Sequence, residues 1–233
     1  MSNYVFAPSP TYGVSEHPFA TWENGFSEDQ LNSIISYCDA QELSKAVIGN
    51  SNEDDDYSKI RESKVSWIEL NEHTGFIYDQ MGYVARCLNG QFFKFDLYGF
   101  NEHMQFTVYD GNESGHYGWH QDYNVPRVSA PRKLSLVLQL SDPSEYEGGE
   151  FFFIDPYLEI KPQKGDLIGF KSGMEHAHGV KMITSGVRYT LSMWFTDDIS
   201  HAVWDNDDWR WDEIDNKHNL HRKLDQSNII KLW

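Results

Sequence analysis

Residues 109–122 read Tyr-Asp-Gly-Asn-Glu-Ser-Gly-His-Tyr-Gly-Trp-His-Gln-Asp, and they end with His120 and Asp122 separated by one residue. On an extended strand alternate side chains point the same way, so this spacing puts an imidazole and a carboxylate on one face. They would stand about 6–7 Å apart along the backbone. Such a pair can grip a metal ion and lacks only a third ligand. The reading therefore requires a sheet, and a distant part of the chain that returns to it.

A third ligand is available downstream, where residues 176–178 read His-Ala-His. His176 and His178 would share one strand face, so spacing alone does not choose between them; His178 is the candidate. Two histidines and one carboxylate leave coordination positions open, a donor set suited to Fe(II). Arg188 lies ten residues past His178, with a turn expected at 184–186 between them. Two adjacent antiparallel strands would bring that arginine near the metal. Its planar fork suits a carboxylate bidentately. A metal with a guanidinium at a distance is what a dicarboxylate co-substrate needs, chelated at one end and clamped at the other.

The surroundings fit a β protein. From residue 91 to 196 short runs rich in Phe, Val, Leu, Ile and Tyr alternate with turn signals. Strands are expected at 91–98, 103–109, 117–121, 133–140, 150–154, 157–161, 166–170, 178–181 and 187–195. Strands so spaced, with no helical pattern between them, imply a jelly roll or a similar barrel. Upstream, Ser27 to Gln30 is a capping-box pattern, and a helix is expected over 27–41. A second helix is expected over 72–89, ending near Asn89-Gly90. Both should pack on one face of a sheet. An imperfect strand covers 63–70. Residues 1–25 read as an extended arm, 49–59 as an acidic loop or a flap over substrate, and 124–133 as a loop or lid. The Trp-rich tail, 197–233, reads as a covering segment. No linker or repeat divides the chain. A single domain is expected over 1–233, with helical support and an arm in 1–90, a catalytic core in 91–196 and the tail beyond.

Composition narrows the function. The 233 residues carry 36 acidic and 19 basic side chains, a formal net charge of -17. That balance repels nucleic acid and anionic membranes, so neither is expected as a partner, whereas a basic peptide would be tolerated. Aromatics make up 15% of the chain, against long disorder. Two cysteines, Cys38 and Cys87, are expected as reduced thiols. No signal peptide or membrane span is legible, and a cytoplasmic protein is expected. The oligomeric state is left open.

Taken together these segments resemble the iron(II)- and 2-oxoglutarate-dependent dioxygenases of the prolyl 4-hydroxylase-like (PKHD-type) family. The resemblance rests on Arg61-Glu-Ser63 ahead of Val65-Ser-Trp67, and on Gln105 to Tyr109 followed by Gly111, Tyr117, His120 and Asp122. It continues with Glu147-Gly-Gly-Glu-Phe151, Gly165-Asp166, and Arg188-Tyr-Thr-Leu-Ser-Met-Trp194-Phe195. All occur in order, with fitting gaps.

The resemblance implies a double-stranded β-helix (jelly roll, cupin-like) with N-terminal helices on one sheet. It implies that His120, Asp122 and His178 bind Fe(II), that Arg188 clamps the far carboxylate of 2-oxoglutarate, and that Tyr109 and Ser192 hydrogen-bond the co-substrate. No catalytic residue beyond the metal ligands is implied. Oxidative decarboxylation to succinate and carbon dioxide would drive hydroxylation of a C–H bond, foremost in a prolyl residue of a peptide or protein. Ascorbate dependence stays open. In one respect the chain departs from the pattern. Relatives that clamp with arginine often carry a tyrosine on the strand after the metal motif, and 133–140 has none. The rivals are a lysyl or small-molecule hydroxylase, a zinc hydrolase with the same ligands, and a non-enzymatic jelly-roll binding module.

Overall fold

A computed structural model describes residues 18–48, 59–100, 102–123, 132–154, 157–173 and 176–196. Most of the expected flap (49–59) and lid (124–133), the first part of the arm and the tail lie outside the described residues.

The described chain is mainly β, in two antiparallel sheets. One contains β1 (Phe19–Trp22), β2 (Ser44–Lys45), β4 (Lys64–Ile68), β5 (Met104–Asp110), β7 (Leu134–Gln139), β11 (Leu167–Lys171) and β13 (Ile183–Phe195). Its order is β1-β11-β7-β13-β5-β4-β2, and β8 (Tyr146–Gly148) pairs with the start of β13. The other contains β3 (Arg61–Glu62), β6 (His116–His120), β9 (Phe151–Phe153), β10 (Leu158–Ile160) and β12 (His178–Val180), ordered β10-β9-β12-β6-β3. Neighbouring strands in space are distant in sequence, as in β13 between β5 and β7, so the core forms from long-range pairing.

Two helices precede most of the strands. α1 (Glu28–Asp39) starts at a complete capping box: the Ser27 hydroxyl accepts from Gln30 N at 3.3 Å, and Gln30 Oε1 accepts from Ser27 N at 2.9 Å. α2 (Gly75–Leu88) buries Ile77, Tyr78, Met81, Val84, Ala85 and Leu88. One apolar cluster contains these residues, Leu31, Ile34 and Cys38 of α1, and Phe106, Leu134, Leu136, Leu138, Leu191 and Met193. The Tyr78 hydroxyl donates to Ile68 O at 2.6 Å and accepts from Met104 N at 3.0 Å, tying α2 to the ends of β4 and β5. A second cluster lies between the sheets: Tyr109, Val137, Ile168 and Phe170 from one, Phe151, Phe153 and Val180 from the other. Both cysteines are free thiols, and burial pushes that of Cys38 up to about 12. Among the described residues no helix is long and apolar enough to cross a membrane.

Three expectations fail. Residues 91–98 form no strand. α2 runs into a π-helical turn at Asn89–Phe93, and Lys94 then takes a left-handed backbone with φ 61°. The buried Asn89 side chain donates to Phe95 O and accepts from Phe95 N, at 2.7 and 2.9 Å, replacing a strand partner. Its aromatics fill core space instead of alternating. Second, no turn breaks the chain at 184–186. β13 is continuous, its start paired with the short β8, and Gly186 at φ 74° accommodates the irregularity. Third, β12 and β13 are not neighbours. They lie in different sheets, so Arg188 faces the metal ligands across the sandwich. Short Phe19–Trp22, read as part of the arm, is an edge strand on β11.

Candidate metal centre and co-substrate cavity

The two histidines meet because β6 and β12 pair with His178 directly opposite His120. The register slips between this pair and Val180–Tyr117. That bulge puts one extra residue in β6, so Tyr117 and His120, three apart, face the same way. Their rings stack with centroids 3.5 Å apart. Asp122 lies two residues past the end of β6, not on the strand. Its position is set from the facing sheet: Oδ2 accepts from Ser135 Oγ at 2.7 Å and from Trp194 Nε1 at 3.0 Å. Ser172 Oγ lies 2.8 Å behind Ser135.

One ligand atom from each of His120, Asp122 and His178 falls within 4.8 Å of the others. His120 Nε2 is 3.5 Å from Asp122 Oδ1, and His178 Nε2 is 3.7 Å from Oδ2. Each imidazole has Nδ1 3.0 Å from a backbone carbonyl, that of Gly118 for His120 and of His176 for His178. A proton on Nδ1 donates to that carbonyl and leaves the Nε2 lone pair for a cation. His176 thus contributes its backbone to the centre.

Charge is arranged to match. Burial opposes ionisation of Asp122, yet neighbouring His178, His120 and Arg132 hold its carboxyl well below the usual carboxylate range. Burial, aided by His120, pushes the His178 imidazole down to about 4 from 6.5. His178 is therefore neutral at pH 7, the form that binds metal. Between about 4 and 6.5 the unfolded chain holds a proton here that the folded chain does not. The metal-free protein should therefore lose stability as pH falls through that interval, by up to about 3 kcal/mol from this residue. Urea titrations of metal-free protein at pH 7 and pH 4.5 measure it; equal midpoints would contradict a neutral, buried His178.

The triad opens into a cavity of about 350 Å³, a size common for small-molecule sites. The period of two along β13 sends Arg188, Thr190, Ser192 and Trp194 to one face, and all four line the cavity. Gln105, Thr107 and Tyr109 do the same from β5, with Tyr109 opposite Arg188 and Gln105 opposite Ser192. Phe151, Phe170, Val137 and Val180 supply apolar walls, and the Phe170 ring lies 4.4 Å from that of His178.

Three arginines line this cavity and two are engaged. Arg61 donates to Ser63 Oγ and Gln105 Oε1 and lies 4.4 Å over the Tyr117 ring. Arg132 is paired with both oxygens of Glu102 and lies 3.7 Å over the Trp194 ring. Arg188 differs. It is 1% exposed, and its Nε and Nη2 have no hydrogen-bond partner. Its remaining contacts among the described residues are with Tyr146 and the Tyr109 ring, and two buried nitrogens left unsatisfied are costly unless an anion arrives to meet them. The donor set and this orphaned fork together fit Fe(II) and 2-oxoglutarate.

The sequence reading gives neither Ser135 nor Trp194 a role at the metal centre. Both hold Asp122, and only the pairing of Ser135 with Trp194 across β7 and β13 reveals it. A small hydroxylic residue within an otherwise apolar strand was the available signal.

The comparisons agree with this geometry. The family model of the 2OG-Fe(II) oxygenase superfamily matches residues 104–196. A PKHD-type hydroxylase of Janthinobacterium sp. (strain Marseille) is 36% identical over 134 residues, covering 54% of this chain and 51% of that protein. Prolyl 3-hydroxylase 1 of Gallus gallus is 40% identical over 76 residues, 30% of this chain. The chain thus matches about half of the first relative and 10% of the second. A prolyl-4-hydroxylase of Pseudomonas putida has the same fold, with TM-score 0.61 and 23% identity over 78% of this chain and 94% of that one. So does a Trichoplax adhaerens prolyl hydroxylase solved with a hypoxia inducible factor peptide, with TM-score 0.64 and 17% identity over 81% and 87%. Residues 104–196 thus match the 2OG-Fe(II) oxygenase superfamily, and the chain is similar to a PKHD-type hydroxylase and shares the fold of prolyl hydroxylases.

Proposed function

We propose that this protein is a Fe(II)- and 2-oxoglutarate-dependent hydroxylase of a prolyl residue in a peptide or protein. The observation that carries the reading is one cavity with a His-Asp-His cluster on one side and, on the facing sheet, a buried guanidinium two of whose nitrogens have no hydrogen-bond partner among the described residues. A zinc hydrolase needs no such fork. The similarity to prolyl hydroxylases, and the peptide bound to the Trichoplax protein, support a peptidyl substrate.

In this reading the fold is a double-stranded β-helix, residues 1–233 form one domain, and the two helices brace the larger sheet. His120, Asp122 and His178 hold the metal. Arg188 takes the far carboxylate of 2-oxoglutarate, with Tyr109 and Ser192 flanking it on the same cavity wall. When bound, iron and co-substrate would supply the chemistry that splits dioxygen, one oxygen atom turning C–H into C–OH and the other entering succinate as carbon dioxide leaves. The chain contributes the rest. Ser135 and Trp194 both donate to Asp122 Oδ2, which would leave Oδ1 the freer oxygen for a metal. Backbone carbonyls fix both imidazoles. Phe151, Phe170 and Val180 exclude water from the space beside His178. No side chain is required to remove a proton.

The substrate class is tested by incubating the protein with Fe(II), 2-oxoglutarate and proline-containing peptides, followed by mass spectrometry. A gain of one oxygen on proline is expected. Oxygen found on lysine instead would transfer the reading to a lysyl hydroxylase.

A further inference from the structure

β7, the strand after the metal motif, ends at Gln139 and contains no tyrosine. Gln139 stands opposite Thr190 of β13, facing the Arg188 end of the cavity wall. Its Nε2 donates to Ser141 O at 2.9 Å and to the Tyr146 hydroxyl at 3.3 Å. Tyr146 comes from β8, is 3% exposed, and is placed beside the Arg188 end by the pairing of β8 with the start of β13.

We infer that Tyr146 is a positioning residue for the Arg188 clamp, its hydroxyl holding the guanidinium in place. The inference rests on the proposed co-substrate site. Gly149 makes the arrangement possible. A Cβ there would lie 3.0 Å from Tyr146 Cε2 and 3.2 Å from Arg188 Cδ, so both side chains pass the same glycine. Gly149 also sits at φ 69° and Gly148 at φ 76°, a backbone that favours glycine. The Tyr-Glu-Gly-Gly run is thus one device: a hydroxyl, a turn, and a slot through which the arginine stem crosses. The hydroxyl accepts from Gln139 and is hydrogen-bonded to the Arg188 side chain as well, so it holds the guanidinium from behind the cavity wall. Burial raises the hydroxyl above its ordinary pKa although Arg188 pulls it down, so it keeps its proton at neutral pH.

The test is anaerobic calorimetry of Fe(II)-loaded protein titrated with 2-oxoglutarate, and separately with 2-oxobutyrate, which lacks the far carboxylate. Tyr146→Phe should weaken 2-oxoglutarate about tenfold or more and leave 2-oxobutyrate unchanged. Gln139→Met keeps the tyrosine but frees its hydroxyl, and should give a smaller loss, about threefold, with the same selectivity. Unchanged 2-oxoglutarate binding in both variants, or equal losses for both ligands, would overturn the role of Tyr146. Wild-type protein that binds neither ligand would overturn the co-substrate site itself, so the two failures are distinguishable.

Discussion

Replacing Arg188 by alanine is expected to weaken 2-oxoglutarate binding by about a hundredfold or more, while Fe(II) binding stays within about twofold. The guanidinium is buried, lines the cavity and has two nitrogens without partners. A carboxylate arriving there gains two charge-assisted hydrogen bonds in a low-dielectric setting, the strongest class of polar contact available to a side chain. The metal ligands belong to β6, its downstream neighbour Asp122 and β12, and none depends on Arg188. A second consequence separates a binding role from a structural one. An unpaired buried charge destabilises the ligand-free fold, so Arg188→Ala should unfold no earlier than wild type without co-substrate. Arg188→Lys should recover part of the affinity, since it restores charge without the fork. Equal losses of iron and co-substrate in the alanine variant would mean that Arg188 supports the fold instead of the ligand.

His178→Ala should abolish Fe(II) binding in the micromolar range, whereas His176→Ala should keep it within about threefold. Loss of an outer partner of a metal ligand costs roughly 10- to 100-fold, and loss of the ligand itself should exceed that. His178 presents Nε2 to the triad from its pair with His120. The His176 contact that matters is its backbone carbonyl on His178 Nδ1, which alanine retains. Iron titration of both variants, followed by the quenching of tryptophan fluorescence, decides the matter. The reverse pattern would show that the wrong histidine has been placed in the centre.

Local order was the legible part of this chain. Short apolar runs between turn signals marked β5, β7, β11 and the second half of β13, and the capping box marked α1 to within two residues. The spacing of His120 and Asp122 brought them together in effect, although a bulge in β6 and hydrogen bonds from Ser135 and Trp194 do the positioning, not an unbroken strand. Partnership between strands was illegible. Nothing in the run from His178 to Arg188 signals a change of sheet, because Thr184, Ser185 and Gly186 suit a bulged strand as well as a turn. The aromatic run after Asn89 misled for a related reason: apolar residues without strict alternation fill a core in any backbone conformation. Tyr146 carried no local signal either, since its neighbour Arg188 is forty-two residues away.

The centre and the clamp make sense together only if the protein consumes 2-oxoglutarate in an iron-dependent reaction. The direct measurement is succinate released by the full chain under air with Fe(II) and 2-oxoglutarate, with and without chelator. Slow release without a prime substrate, abolished by chelator and by His178→Ala and restored in the wild type by added Fe(II), is the predicted result. No succinate from correctly folded, iron-loaded protein, with or without proline-containing peptides, would contradict it.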